Sequence, residues 1–132
     1  MIHLTTTLSY GLRFLANLAL AEGRPKRLSK IAKEESISLL YLRKLIIPLE
    51  KAGIMKSVRG PGGGFVLSRN PSEIRLSEVI SILSRNRVME CLKTPSSCLR
   101  QEDCRIKGLL EEVYNKIQGI FENKTLETII KR

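Results

Sequence analysis

Apolar positions recur with a helical step from the start of the chain. Leu8, Leu12, Leu15 and Ala19 are spaced by four, three and four. That spacing places them on one face of a helix over 5–21, opened by a threonine. The stretch EGRPKR at 22–27 breaks the pattern with Gly and Pro and reads as a basic loop. Residues 28–53 carry two further helices. Ser29 stands where a cap of the first is expected; that helix ends near Glu35 and turns Leu28, Ile31 and Ala32 inward. Ser36-Ile37-Ser38 forms a turn. Ser38 then caps a longer helix that reaches about Lys51, ahead of Gly53, with Leu39, Leu42, Ile46 and Leu49 inward. Pro48 falls inside this helix and predicts a bend or an early end to its regular hydrogen bonding.

The pattern shortens beyond Gly53. IMKSV at 54–58 and FVLSR at 65–69 are short runs rich in apolar and β-branched residues, separated by a glycine-rich stretch, and predict a hairpin. NPSE at 70–73 predicts a turn, and 74–84 an extended segment followed by a helix capped at Ser77. Residues 85–104 have no periodicity. Over 104–121, Ile106, Leu110, Val113, Ile117 and Ile120 step by four, three, four and three, the seam with which one helix packs on another. At about two heptads it is too short for an independent coiled coil; packing inside the domain is one use for it, but its position after the cysteine loop, at the end of a small domain, favours a dimer interface. KTLETIIKR at 124–132 adds a short capped helix. The fold class expected is mainly α with a small β-hairpin: two helices joined by a turn, then a hairpin, which is the order of a winged helix-turn-helix. Its expected parts are a DNA-binding unit over 1–84, a cysteine-containing loop over 85–104, and a dimerisation helix with a C-terminal segment over 105–132, all in one compact unit.

Composition narrows the function. The 132 residues fit one domain, and 42% apolar content indicates a globular chain. Lys and Arg number 23 against 13 Asp and Glu, a formal charge of +10. A surface this basic suits a polyanion, with nucleic acid ranked ahead of anionic membrane. No segment has the roughly 20 apolar residues of a membrane helix. FLANLALA at 14–21 imitates a signal peptide, but Asn17 interrupts it and residues 1–12 carry no Lys or Arg, so a cytoplasmic location is expected.

RGPGGGF at 59–65 needs a reason for four glycines in five positions. A phosphate-binding P-loop would require Lys-Ser or Lys-Thr after the glycines, and none follows. The dinucleotide fingerprint fails at Phe65, where a strand follows instead of a helix. No Gly-x-Ser-x-Gly exists, and the single histidine, His3, is far away in sequence. Enzyme readings therefore lack parts. A hairpin tip lacks none: glycine permits positive φ and close backbone approach, and Arg59 stands at its base.

Cys91, Cys98 and Cys104 follow C-x6-C-x5-C within fourteen residues, separated by polar segments that are poor core material. An odd number of thiols argues against a secreted disulfide framework. Clustered thiolates suit a soft metal centre, zinc or iron–sulfur, although the paired spacing of zinc sites is absent.

Residues 37–80, ISLLYLRKLIIPLEKAGIMKSVRGPGGGFVLSRNPSEIRLSEVI, resemble the Rrf-type family of bacterial winged-helix transcription regulators. The opening LTTTLSYGLRFLANLAL and the cysteine loop followed by a long helix are similar too, so the resemblance spans essentially the whole chain. It implies a homodimer on a roughly palindromic operator in double-stranded DNA, with affinity set by an iron–sulfur cluster, [2Fe-2S] or [4Fe-4S], on Cys91, Cys98 and Cys104. Some members place a histidine three residues beyond the last cysteine, where this chain has Lys107; others use an aspartate in the first helix of the partner, matched here by Ser9. Glu90, Glu102, Asp103, His3, an external thiol or water stay open as the fourth ligand. Two rival readings are a clusterless regulator, with the cysteines as thiol switches or a partner protein as its signal, and a remote one, a small metal-dependent enzyme.

In a helix-turn-helix the first residues of the second helix meet the DNA. Ser38 and the helix start suit a phosphate. Tyr41, Arg43 and Lys44 occupy the first two turns, and Arg43 is the choice for reading guanine, since a guanidinium grips O6 and N7 together. One branch of the family has a glutamate at that position, so its operator preference does not transfer. Lys44, Lys56 and Lys26 are expected to meet phosphates, and Arg59 the minor groove.

Overall fold

The computed structural model describes residues 6–84, 99–100 and 102–131. Among the described residues, six helices and one hairpin follow in order: α1 (Thr6–Leu20), α2 (Leu28–Glu35), α3 (Leu39–Lys51), β1 (Met55–Val58), β2 (Gly64–Leu67), α4 (Leu76–Leu83), α5 (Lys107–Glu122) and α6 (Leu126–Ile130), with a 3-10 turn at Pro71–Glu73 before α4. This is the mainly helical winged architecture expected. The cysteine loop expected over 85–104 falls outside the described residues, except 99–100 and 102–104.

One core ties the first helix to the last. Phe14 and Leu15 of α1, Ile31 of α2, Leu42 and Leu49 of α3, Ile54, Met55, Ile74, Val79 and Leu126 are all fully buried. Leu126 comes from α6, so the C-terminal segment closes the core that α1 to α4 begin. Its place is held by backbone bonds, Leu126 N–H to the Ile74 carbonyl and Leu76 N–H to the Lys124 carbonyl, both at 2.9 Å.

Helix starts follow the apolar residues more than the serines. Ser38 does cap α3, its hydroxyl accepting from the Tyr41 N–H. Ser29 and Ser77, expected as caps, lie inside the first turns of α2 and α4. The residues at the cap positions are Arg27 and Arg75, in extended conformation and without a side-chain cap. Leu28 and Leu76 pack on the core, and packing them requires helix to begin there. α3 also runs through Pro48 to Lys51. Buried Leu45 and Leu49 flank the proline and hold the helix together across the N–H that it lacks.

The wing pairs β1 and β2 antiparallel, Met55 opposite Leu67 and Val58 opposite Gly64. The loop at 22–27 adds what the sequence did not announce, a third line of pairing. Lys26 bridges Phe65, its N–H reaching the Phe65 carbonyl at 3.1 Å and its carbonyl accepting from the Phe65 N–H at 2.8 Å. That approach explains Gly64, whose φ is +155°. A Cβ there would lie 2.5 Å from the Lys26 carbonyl carbon and 2.9 Å from the Arg27 nitrogen. Gly60, φ +108°, opens the tip turn that the Gly63 N–H closes onto the Gly60 carbonyl at 2.9 Å.

Candidate nucleic-acid interface

Burial of Leu42, Leu45 and Leu49 fixes which side of α3 faces solvent. Arg43 and Lys44 lie on the outer side, exposed, and neither side chain has an ionic or hydrogen-bonding partner among the described residues. Lys56 on β1 and Arg59 at the wing tip are exposed and equally unpaired. Among the described residues these four cations have no ionic partner, which leaves them available to an external anion. Ser38 is exposed at the α3 N-terminus.

Tyr41 is different. Its ring meets Tyr10 edge-on at 5.4 Å, and its hydroxyl lies 2.5 Å from the Thr7 hydroxyl. The Arg13 guanidinium covers the Tyr10 ring at 5.5 Å. Tyr41 is thus half-buried against α1 and locks the start of α3 in place.

Lys26, expected to meet a phosphate, is already occupied. Its ammonium donates to the Asn17 side-chain oxygen at 2.5 Å and pairs with Glu34. Buried Asn17 in turn donates to Glu34 at 3.0 Å and Glu35 at 2.8 Å. The bonds from Lys26 and Asn17 hold the Glu34 carboxyl below the usual carboxylate range. Arg13 completes the group by bonding the Glu35 carboxylate and carbonyl. These contacts tie α1, α2 and the Lys26 bridge to the wing together.

Two features escaped the sequence reading. Arg27, Lys30 and Lys33 line an open groove of about 550 Å³ between α2 and the wing tip, opposite Pro61, Gly62 and Gly63. Arg27 spans it, donating to the Pro61 carbonyl at 3.4 Å. The recurrence of cations at 27, 30 and 33, one outer face of a helix, is the signal that could have found them. The second is Leu40, exposed on the same side of α3 as Lys44.

Cys91 and Cys98 lie outside the described residues. Cys104 is a free, half-buried thiol on the turn leading into α5. Among the described residues no three His, Cys, Asp or Glu side chains gather at metal-binding distance. The three thiols fit an iron–sulfur cluster by chemistry, because soft sulfur donors suit it. Of the open fourth ligands, Glu102 and Asp103 are exposed. Lys107 stands 4.0 Å from Glu111. Among the described residues no helix is long and apolar enough to cross a membrane.

Comparison with known proteins agrees with this geometry. The Rrf2 family model, described as an iron-dependent transcriptional regulator, matches residues 4–132. The HTH-type transcriptional regulator IscR of Escherichia coli O1:K1 is 31% identical over 98% of this chain and 80% of its own length. The structure of T. potens IscR superposes with a TM-score of 0.80 at 31% identity, over 98% of this chain and 87% of that one. CymR, the global cysteine regulator of B. subtilis, superposes with a TM-score of 0.79 at 30% identity, over 99% and 98% of the two chains.

Proposed function

The chain belongs to the Rrf2 family of transcriptional regulators, and on that premise we propose that it is a homodimer whose affinity for a roughly palindromic operator is set by an iron–sulfur cluster on Cys91, Cys98 and Cys104. It is a DNA-binding regulator and not an enzyme, as its relatives are. The observation that carries the reading is the unpaired pair Arg43 and Lys44 on the outer face of a capped helix in the second position of a helix-turn-helix. In this reading α3 enters the major groove. Arg43 grips guanine, Lys44 and Lys56 meet phosphates, Ser38 offers the helix start to another phosphate, and Arg59 enters the minor groove. Tyr41 acts by fixing α3 against α1. Gly62 supports the wing's role: it has neither positive φ nor any atom within 4 Å of where a Cβ would stand. Nothing inside the fold demands glycine there, whereas a DNA backbone lying against the tip would.

The dimer rests on α5, which leaves Leu109 and Ile120 exposed next to exposed Ile106 at its N-cap, and buries none of its residues fully. A second copy laid along this helix would cover them. When bound, a cluster supplies redox and iron sensitivity. The cysteine segment leads directly into the dimer helix, so a preference of either dimer state for the loaded segment would change DNA affinity by that difference.

A second reading uses the cysteines as thiol switches. It is favoured by the match to nearly the whole length of CymR, and by Lys107 standing where some relatives have a histidine. Anaerobic reconstitution with iron and sulfide separates the two. The cluster reading expects iron and sulfide bound per chain, lower loading in each single Cys→Ala variant, and different operator affinities for the loaded and unloaded forms. A wild-type chain that takes up no iron supports the thiol switch. In both readings binding weakens steeply with added salt, because neutralised phosphates release counterions.

A further inference from the structure

Leu40 is the second residue of α3 and is 64% exposed. The helix is anchored without it, through Leu42, Leu45 and Leu49. The outer face of α3 runs Leu40, Lys44, Ile47, Lys51, in steps of four, three and four, with Arg43 beside it. A single exposed leucine is ordinary on a protein surface. This one occupies the first turn of the helix that the proposed function puts in the major groove, where the N-terminal residues reach base edges. Base edges there display one apolar group, the C5 methyl of thymine.

We propose that Leu40 is a specificity-determining residue that reads thymine through this methyl group. Leucine has no donor or acceptor for the other edges. Pressed against the cytosine amino group, it would strip water from a donor and leave it unpaired, which costs binding. Against thymine it buries two apolar surfaces together. With Arg43 one turn along the helix, the pair would select a thymine close to the guanine that Arg43 grips.

The inference rests on α3 being the recognition helix, and its test separates the two claims. Duplexes preferred by the wild-type chain are selected from a random pool. Each thymine of the preferred duplex is then replaced singly by deoxyuridine, which removes only the methyl group. Wild type is expected to lose about fourfold in affinity at one or more positions, the worth of one buried methyl-sized group. Leu40→Ala should show no loss at those positions, while Leu40→Met, which keeps the apolar reach, should retain it. Thermal melts of the three chains should coincide, because Leu40 lies outside the core. A thymine-to-uracil ratio that is the same in wild type and Leu40→Ala at every position overturns the inference and leaves the recognition helix standing. If Leu40→Ala binds too weakly to titrate, Leu40→Val and Leu40→Met decide by the same ratio. Failure of the wild-type chain to bind any duplex overturns both.

Discussion

Among the described residues the Arg43 side chain has no ionic or hydrogen-bonding partner, and that freedom suits a reader of bases. A guanidinium engaged in an internal ion pair would have to break it before gripping guanine. Arg43→Ala should therefore leave stability almost unchanged and relax preference at a defined base pair by about 1–3 kcal/mol, the worth of a bidentate contact. Competition binding against single-base operator variants measures it; an effect on the salt slope alone would make Arg43 a phosphate contact. Lys26 shows the opposite case. Its sequence neighbourhood, a basic loop, made it look like a phosphate ligand, because nothing in the sequence tells which lysine meets a carboxylate eight residues on. Asn17 was legible only as an interruption in an apolar run, and the structure supplies its partners. The Glu34 carboxyl they hold has its pKa lowered from the ordinary 4.5. Such a group contributes stability that is complete above the ordinary value and lost as pH falls through the lower folded value. Glu34→Gln should remove that part of the acid dependence. Melts from neutral pH down through the carboxylate range test it; because the carboxyl is solvent-exposed, the effect should be modest.

The helices were legible wherever their apolar spacing was regular. The four-three-four run of α1 and the Ser38 cap of α3 both correspond to what forms, because a repeated helical step and a short polar cap are local signals. Starts of α2 and α4 were misread for a physical reason: an available serine competes with a leucine that must be buried, and burial wins. The wing's third line of pairing rests on one residue, Lys26, and a single bridge has no period to detect. The heptad positions of α5 were legible as a stripe, and three of the five, Leu110, Val113 and Ile117, are half-buried along one chain. Changing Val113 and Ile117 together to glutamate should make the protein monomeric and weaken operator binding, since charge would be buried at the proposed interface without compensation. Sedimentation reads the outcome, and an unchanged dimer mass would move the interface off α5.

The core is closed by α6, the last of the described helices. Leu126 is fully buried among residues of α1 to α4, so the helix-turn-helix depends on a side chain that follows α5. Leu126→Ala should cost about 2–5 kcal/mol, as large-to-small changes in packed cores do. The loss should appear as a single lowered unfolding transition reported equally by helix signal and by DNA binding. Two separate transitions would show that the C-terminal segment is dispensable to the helix-turn-helix.

This closure also sets an order of events at the ribosome. α1 emerges before α6, and its apolar face has to wait for α6 before the core is complete. Everything between, including the cysteine segment and α5, must be made before the ends meet. Joining ends so distant in sequence carries the loop-closure entropy that slows folding. A nascent chain stalled after α4 would display an unfinished apolar surface to chaperones and proteases. A finished one hides it, so that an α3 firmly seated on its core belongs to chains whose translation has passed Leu126.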